Sequence, residues 1–152
     1  MPQAKIFGEY FGGGLSSIVF QEIRESRALA YSAYAGYTSP AKPNQHHYVR
    51  GYIGTQANKL GDATNALLEL MSTLPRADAQ FEQSKMSALK QIETNRTTGQ
   101  NILWSYERAK DRGIDFDINH KMYPAIKQMN FEEIQSFFDE NVQGRTYTYL
   151  VI

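Results

Sequence analysis

The sequence predicts an α+β fold: an antiparallel or mixed sheet with helices packed on one face. Three observations predict it. Two β-rich runs, Ala30 to Tyr37 and His47 to Gln56, stand close enough in the chain to pair as a hairpin. Apolar residues at helical spacing then dominate as far as Asn141, and a β-branched, aromatic run, Arg145 to Ile152 (RTYTYLVI), closes the chain. Strands grouped apart from helices, without strict alternation, define this class. At 152 residues the chain is the size of one domain with one core, so residues 1–152 are taken together.

The elements follow in order. Gln3 to Phe11 places Ile6, Phe7, Tyr10 and Phe11 on one helical face, and Gly12 supplies a stop. Ser16 or Ser17 can cap a second helix, whose apolar Ile18, Val19, Phe20 and Ile23 lie beside polar Gln21, Glu22, Arg24 and Glu25; it should end near Ser26 or Arg27. The two strands come next, separated by a loop that Pro40 and Pro43 break. Beyond Ala57, the spacing of Leu60, Ala63, Leu67, Leu70 and Met71 predicts a helix that Pro75 interrupts. Asp78 can cap another, carrying Phe81, Met86, Leu89 and Ile92 to about Arg96. A further helix, Asn101 to Arg112, sets Ile102, Leu103, Tyr106 and Ala109 on one face before Gly113. Asn130 with Glu133 is a capping-box start for Phe131 to Asn141. Arg145 to Ile152 then returns to the sheet as a third strand. Three strands are few for this length, so a strand or two is expected upstream of Met1.

Composition excludes whole classes of function. Lys plus Arg (16) equals Asp plus Glu (16), so no net field attracts nucleic acid or an anionic membrane. No apolar run approaches the roughly 20 residues that cross a bilayer. The absence of cysteine removes disulfides, thiolate nucleophiles and Cys-based zinc sites. The compartment stays unassigned.

Metal chemistry finds no ligand set either. Neither H-x-x-E-H nor H-E-x-x-H occurs. His46 and His47 are adjacent and would point to opposite faces of a strand, and His120 stands alone. Asp115 and Asp117 fall short of a calcium loop and read as a solvated turn.

Two features carry the functional reading. Gly12, Gly13 and Gly14 precede a helix N-terminus and could cradle an anion, but the Lys-Ser/Thr of a phosphate loop and the preceding strand are absent. They could equally let a helix stop, turn and restart, or present bare backbone to a passing extended peptide. Spacing leaves these open. Arg24 and Tyr31 lie seven residues apart across a turn. Together they could clamp a peptide carbonyl or an oxyanion developing on it; the plainer alternative is an Arg paired with Glu22 or Glu25 and a Tyr packed in the core.

At these residues the chain resembles a known family. FGGGLSSIVFQEIRESRALAYSAYAGY is similar to the C-terminal-half signature of the pitrilysin/insulysin zinc metallopeptidases, a family that includes mitochondrial processing peptidase and the cytochrome bc1 core proteins. The likeness extends more loosely through GYIGTQANKLGDATNALLELM, and GTQANKL and GRTYTYLVI resemble the two-halved bacterial members. The resemblance implies a pitrilysin-like domain lacking its first strands, cut from the C-terminal half of a longer two-halved peptidase. It implies that this half holds no metal and no cofactor, the zinc residing in an N-terminal half, in the same chain or a partner subunit. Arg24 and Tyr31 match the pair that anchors substrate and stabilises the oxyanion; Gly12, Gly13 and Gly14, with Ser16, match the turn at the peptide entrance. Alone, the chain should be catalytically silent. A non-enzymatic scaffold subunit, like the bc1 core proteins, is the alternative. An unpaired strand edge also predicts a homodimer. A periplasmic or cytoplasmic bacterial parent is compatible with the resemblance. Two departures stand out: Leu15 replaces the usual Met, and Ala28 replaces the usual Gly after Arg27, stiffening the turn that places Tyr31.

Overall fold

The computed structural model describes residues 1–40, 45–95, 98–115 and 118–152. Asp117, Pro43 and Arg96, used in the sequence reading, fall outside them.

Helix α1 (Pro2–Phe11) is the centre of the molecule. Proline in its first turn costs no hydrogen bond, because that N–H would have no helical partner. Its face of Ile6, Phe7, Tyr10 and Phe11 is fully buried, each side chain contributing roughly 1.5–3 kcal/mol by leaving water. After α1 come a π-helical turn (Phe20–Ser26), strands β1 (Ser32–Thr38) and β2 (Tyr48–Gly54), and a 3₁₀ turn (Ala57–Lys59). Five helices complete the described chain: α2 (Leu60–Ser72), α3 (Asp78–Thr94), α4 (Gly99–Asp111), α5 (Ile118–Gln128) and α6 (Phe131–Asn141). Helix α1 packs against β1, α3, α5 and α6.

Strands β1 and β2 are antiparallel, with Ala33 opposite Ile53, Ala35 opposite Gly51 and Tyr37 opposite Val49. Because successive side chains alternate, these odd positions face the helices. Ala33 and Ala35 are buried, and the Tyr37 ring meets Phe137 edge-on at 5.0 Å. The even positions face away, where Tyr34 and Tyr52 stack at 5.0 Å and remain 44% and 45% exposed. The sheet therefore has one helical face and one open face, as expected for the α+β class.

Aromatic packing joins the layers. Phe7 contacts Phe11, Phe137 and Phe138, while Tyr10, Phe81 and Phe131 meet one another edge to face at 5.7–6.1 Å. The hydroxyl of Tyr10 donates to the Pro75 carbonyl at 2.7 Å and accepts from the Ala77 N–H at 2.9 Å. That phenol thus satisfies the backbone between α2 and α3.

Four expectations need correction. Arg145 to Ile152 forms no strand. Its β-propensity is local, but a strand needs a neighbour's backbone to pair with; Leu150, Val151 and Ile152 stay exposed. Helix α4 forms and stops at Gly113, which has φ +67, yet Ile102, Leu103 and Tyr106 are exposed because α4 is not packed on the core helices. Helix α5 was not foreseen: Pro124 inside it reads as a breaker, and only Ile126 is fully buried. Its Tyr123 hydroxyl, 2.6 Å from Glu93, ties it to α3. Finally, Asp78 is the first residue of α3 and Ala77 its cap, with no side-chain capping bond. The capping box of α6 is as expected, Asn130 Oδ1 accepting from the Glu133 N–H and Glu133 Oε2 from the Asn130 N–H, both at 3.0 Å.

Candidate functional site

The glycine turn docks on the outer edge of β1. The Ala35 N–H donates to the Gly12 carbonyl at 3.3 Å, so at Ala35 the strand's hydrogen-bonding groups point away from β2. A methyl group on Gly12 would lie 2.3 Å from the Ala35 nitrogen and carbonyl oxygen, a contact no side chain survives. Gly12 is buried, whereas Gly13 and Gly14 are exposed. Ser17 holds the turn's exit: its Oγ donates to the Gly14 carbonyl at 2.7 Å and accepts from the Phe20 N–H at 3.4 Å. Of the two serines offered as caps, Ser17 takes that part. Ser16 is half-buried.

Between this turn and β1 lies a cleft of about 500 Å³, walled by Gly12, Gly13, Gly14, Leu15 and Phe20 on one side and by β1 with Arg50 on the other. Leu15 is 71% exposed at its rim.

The helix that follows is wound as a π-helix from Phe20 to Ser26, a rare form found often at functional sites. The Arg27 N–H reaches the Glu22 carbonyl at 3.2 Å, and the Leu29 N–H caps back to Ile23 at 2.9 Å. Closing it requires Ala28 at φ +48, the left-handed region that disfavours a Cβ. This is the position where the family resemblance led one to expect glycine. Polar contacts pin the same turn to the exit of β2: Lys59 Nζ donates to the Ala28 carbonyl at 2.8 Å, Thr55 Oγ1 to that of Leu29 at 2.5 Å, and the Tyr31 N–H to that of Gly54 at 3.0 Å. Arg27 bridges to Glu69 of α2 at 2.7 Å; this hydrogen bond holds the Glu69 carboxyl below its ordinary range and the Arg27 guanidinium above its own.

Arg24 leans its guanidinium over the Phe20 ring at 4.7 Å and lies 3.7 Å from Glu25. It therefore reaches the cleft only through Phe20. Glu22 pairs instead with Arg27, at 3.7 Å. Tyr31 is not a core residue: it is 68% exposed, with its ring over Gly54, where a Cβ would meet ring carbons at 2.8 and 2.9 Å and the hydroxyl oxygen at 3.0 Å. Of the residues singled out in the sequence, Gly12, Gly13 and Gly14 share the cleft; Ser16, Arg24 and Tyr31 lie outside its lining. Sequence reasoning missed Tyr34, Gly36, Thr38 and Arg50, which line it. The hairpin register would have found them, since it puts all four on one face.

The residues present do not fit a zinc ion. Among the described residues no three His, Cys, Asp or Glu side chains group to hold a metal. His46 and His47 are exposed ahead of β2, and the His47 ring rests 5.5 Å from that of Tyr37.

The glycine turn docked on a sheet edge, the helix carrying Arg24 and the strand led in by Tyr31 belong to one α+β domain. The chain matches the family model described as the peptidase M16 inactive domain over residues 2–91, and it belongs to that family. It is 27% identical over 143 residues to the "uncharacterized zinc protease YmxG" of Bacillus subtilis, covering 89% of this chain and 34% of that protein. Two solved structures share its fold. A conserved protein from Enterococcus faecalis superposes with a TM-score of 0.75 at 18% identity, over 93% of this chain and 33% of that one. A peptidase M16 inactive domain from Pseudomonas fluorescens gives 0.68 at 14%, over 93% and 34%. The chain thus spans about a third of the length of the relatives it matches. The family read from the stretch between Phe11 and Tyr37 is confirmed by the match.

Proposed function

We propose that this chain is the substrate-binding part of a zinc-dependent endopeptidase, belonging to the C-terminal half of a longer two-halved parent. In that role it closes a peptide chamber opposite an N-terminal half that carries the zinc. The observation that carries this reading is the Gly12–Ala35 docking, which leaves bare backbone and a strand edge as walls of one cleft. Extended peptides bind through main-chain hydrogen bonds where side chains are small. A turn of three glycines beside Ala33, Ala35 and Gly36 suits that mode.

Arg24 and Tyr31 anchor the peptide in this reading. Both keep donors to spend: the Tyr31 hydroxyl has no hydrogen bond among the described residues, and Arg24 shares a single ion pair at 3.7 Å. A guanidinium and a phenol can donate together to a peptide carbonyl, and their bonds strengthen as negative charge grows on that oxygen. The zinc and its ligands belong to the partner half in this reading, and among the described residues this chain groups no ligand set for it.

The test is a titration of a neutral, extended ten-residue peptide into the isotopically labelled 152-residue chain, followed by amide NMR. Perturbations should concentrate at residues 12–15 and 33–38 and around Arg24 and Tyr31. Perturbations confined to other surfaces would overturn the reading.

A further inference from the structure

The open face of the sheet adds a chemical preference to the cleft. Gly36 lies opposite Arg50 in the register, with the Tyr34–Tyr52 pair on one side and the Thr38–Tyr48 pair on the other. Nothing stands within 4 Å of where a Gly36 side chain would begin. The missing side chain leaves a notch between the stacked Tyr34 and Tyr52 rings and Thr38. Arg50, Gly36, Tyr34 and Thr38 all line the cleft. Arg27 and Arg76 bind acidic side chains at 2.7–3.0 Å, but Arg50 has no ion pair or hydrogen bond among the described residues. Its five donors are unspent where it lines the cleft, across from Leu15 and Phe20.

We propose that the Gly36 notch beside Arg50 is a subsite for an acidic side chain of the bound peptide. This rests on the cleft being a peptide site. Guanidinium and carboxylate match as a two-pronged pair, and the flanking Thr38 hydroxyl offers a further donor. A basic side chain in the notch would meet like charge and be rejected.

The experiment compares peptides that differ only at one position, Glu or Gln, both acetylated and amidated, binding to the 152-residue chain by calorimetry at physiological salt. The Glu peptide should bind about 5- to 20-fold more tightly, the range of a charge-assisted pair at a partly exposed site. Arg50→Gln should abolish that preference. Gly36→Val, which fills the notch and keeps the charge, should abolish it too. Equal affinities for the two peptides, or a preference that survives Arg50→Gln, would overturn the acidic subsite while leaving the peptide site intact. A Gln peptide with a free C-terminal carboxylate matching the Glu peptide would overturn the assignment to a side chain. No binding of either peptide would overturn the peptide site and this inference with it.

Discussion

The Ala35 N–H donates to the Gly12 carbonyl at 3.3 Å, and the two backbones approach so closely that a Cβ on Gly12 would overlap Ala35 atoms at 2.3 Å. One contact therefore fixes both the end of α1 and the wall of the cleft. Gly12→Ala should force the turn off β1 and cost about 3 kcal/mol or more, as overpacking against rigid backbone does. Gly14→Ala meets nothing within 4 Å and should change stability by less than about 0.5 kcal/mol. Urea midpoints of the two variants check this; equal midpoints would refute the division of labour within the turn.

Ala28 is the second backbone prediction. At φ +48 a Cβ costs roughly 1–2 kcal/mol, and glycine relieves it while giving back part through a freer unfolded chain. Ala28→Gly should therefore stabilise the domain by about 0.5–1 kcal/mol, read as a rise in thermal midpoint. The family resemblance pointed to this position from sequence, but only as a departure from pattern. The left-handed backbone that gives it an energy is visible only in the fold.

How much was legible follows from how local each signal is. Asn130 and Glu133 announce α6 because both partners of the capping box lie within one turn. The hairpin was legible for the same reason, its strands being neighbours in the chain. RTYTYLVI misled because propensity describes one strand and a ladder needs two. The apolar face of α4 misled similarly, since periodicity shows that a face exists but not that another element covers it. At the site, the glycines and the Arg24–Tyr31 spacing were legible through resemblance. Arg50 and Gly36 became visible only once the register set them opposite each other. The π-winding of Phe20–Ser26 left no sequence mark at all.

Tyr10 sets a pH prediction. Burial, opposed by its bond from the Ala77 N–H, raises its phenol from the ordinary 10.0 to about 12. A group whose folded pKa lies above its unfolded one stabilises fully below the lower value and is lost as pH rises through the higher. Stability attributable to Tyr10 should therefore be intact below pH 10 and fall by about 3 kcal/mol towards pH 12. Tyr10→Phe should remove this alkaline loss. It should also cost roughly 1–3 kcal/mol at pH 8, because the Pro75 carbonyl and Ala77 N–H lose their partner. Denaturant titrations of both proteins at pH 8 and pH 11 give the comparison.

The central claim is that Tyr31 and Arg24 serve a peptide held across from a zinc-bearing half, and one kinetic measurement addresses it directly. In the peptidase assembled with that half, Tyr31→Phe removes a single hydroxyl that is exposed and makes no hydrogen bond among the described residues, so the fold should be untouched. The account predicts that kcat/KM for peptide hydrolysis falls about 10- to 1000-fold, the scale of losing one oxyanion donor. Hydrolysis at the unchanged rate would contradict it.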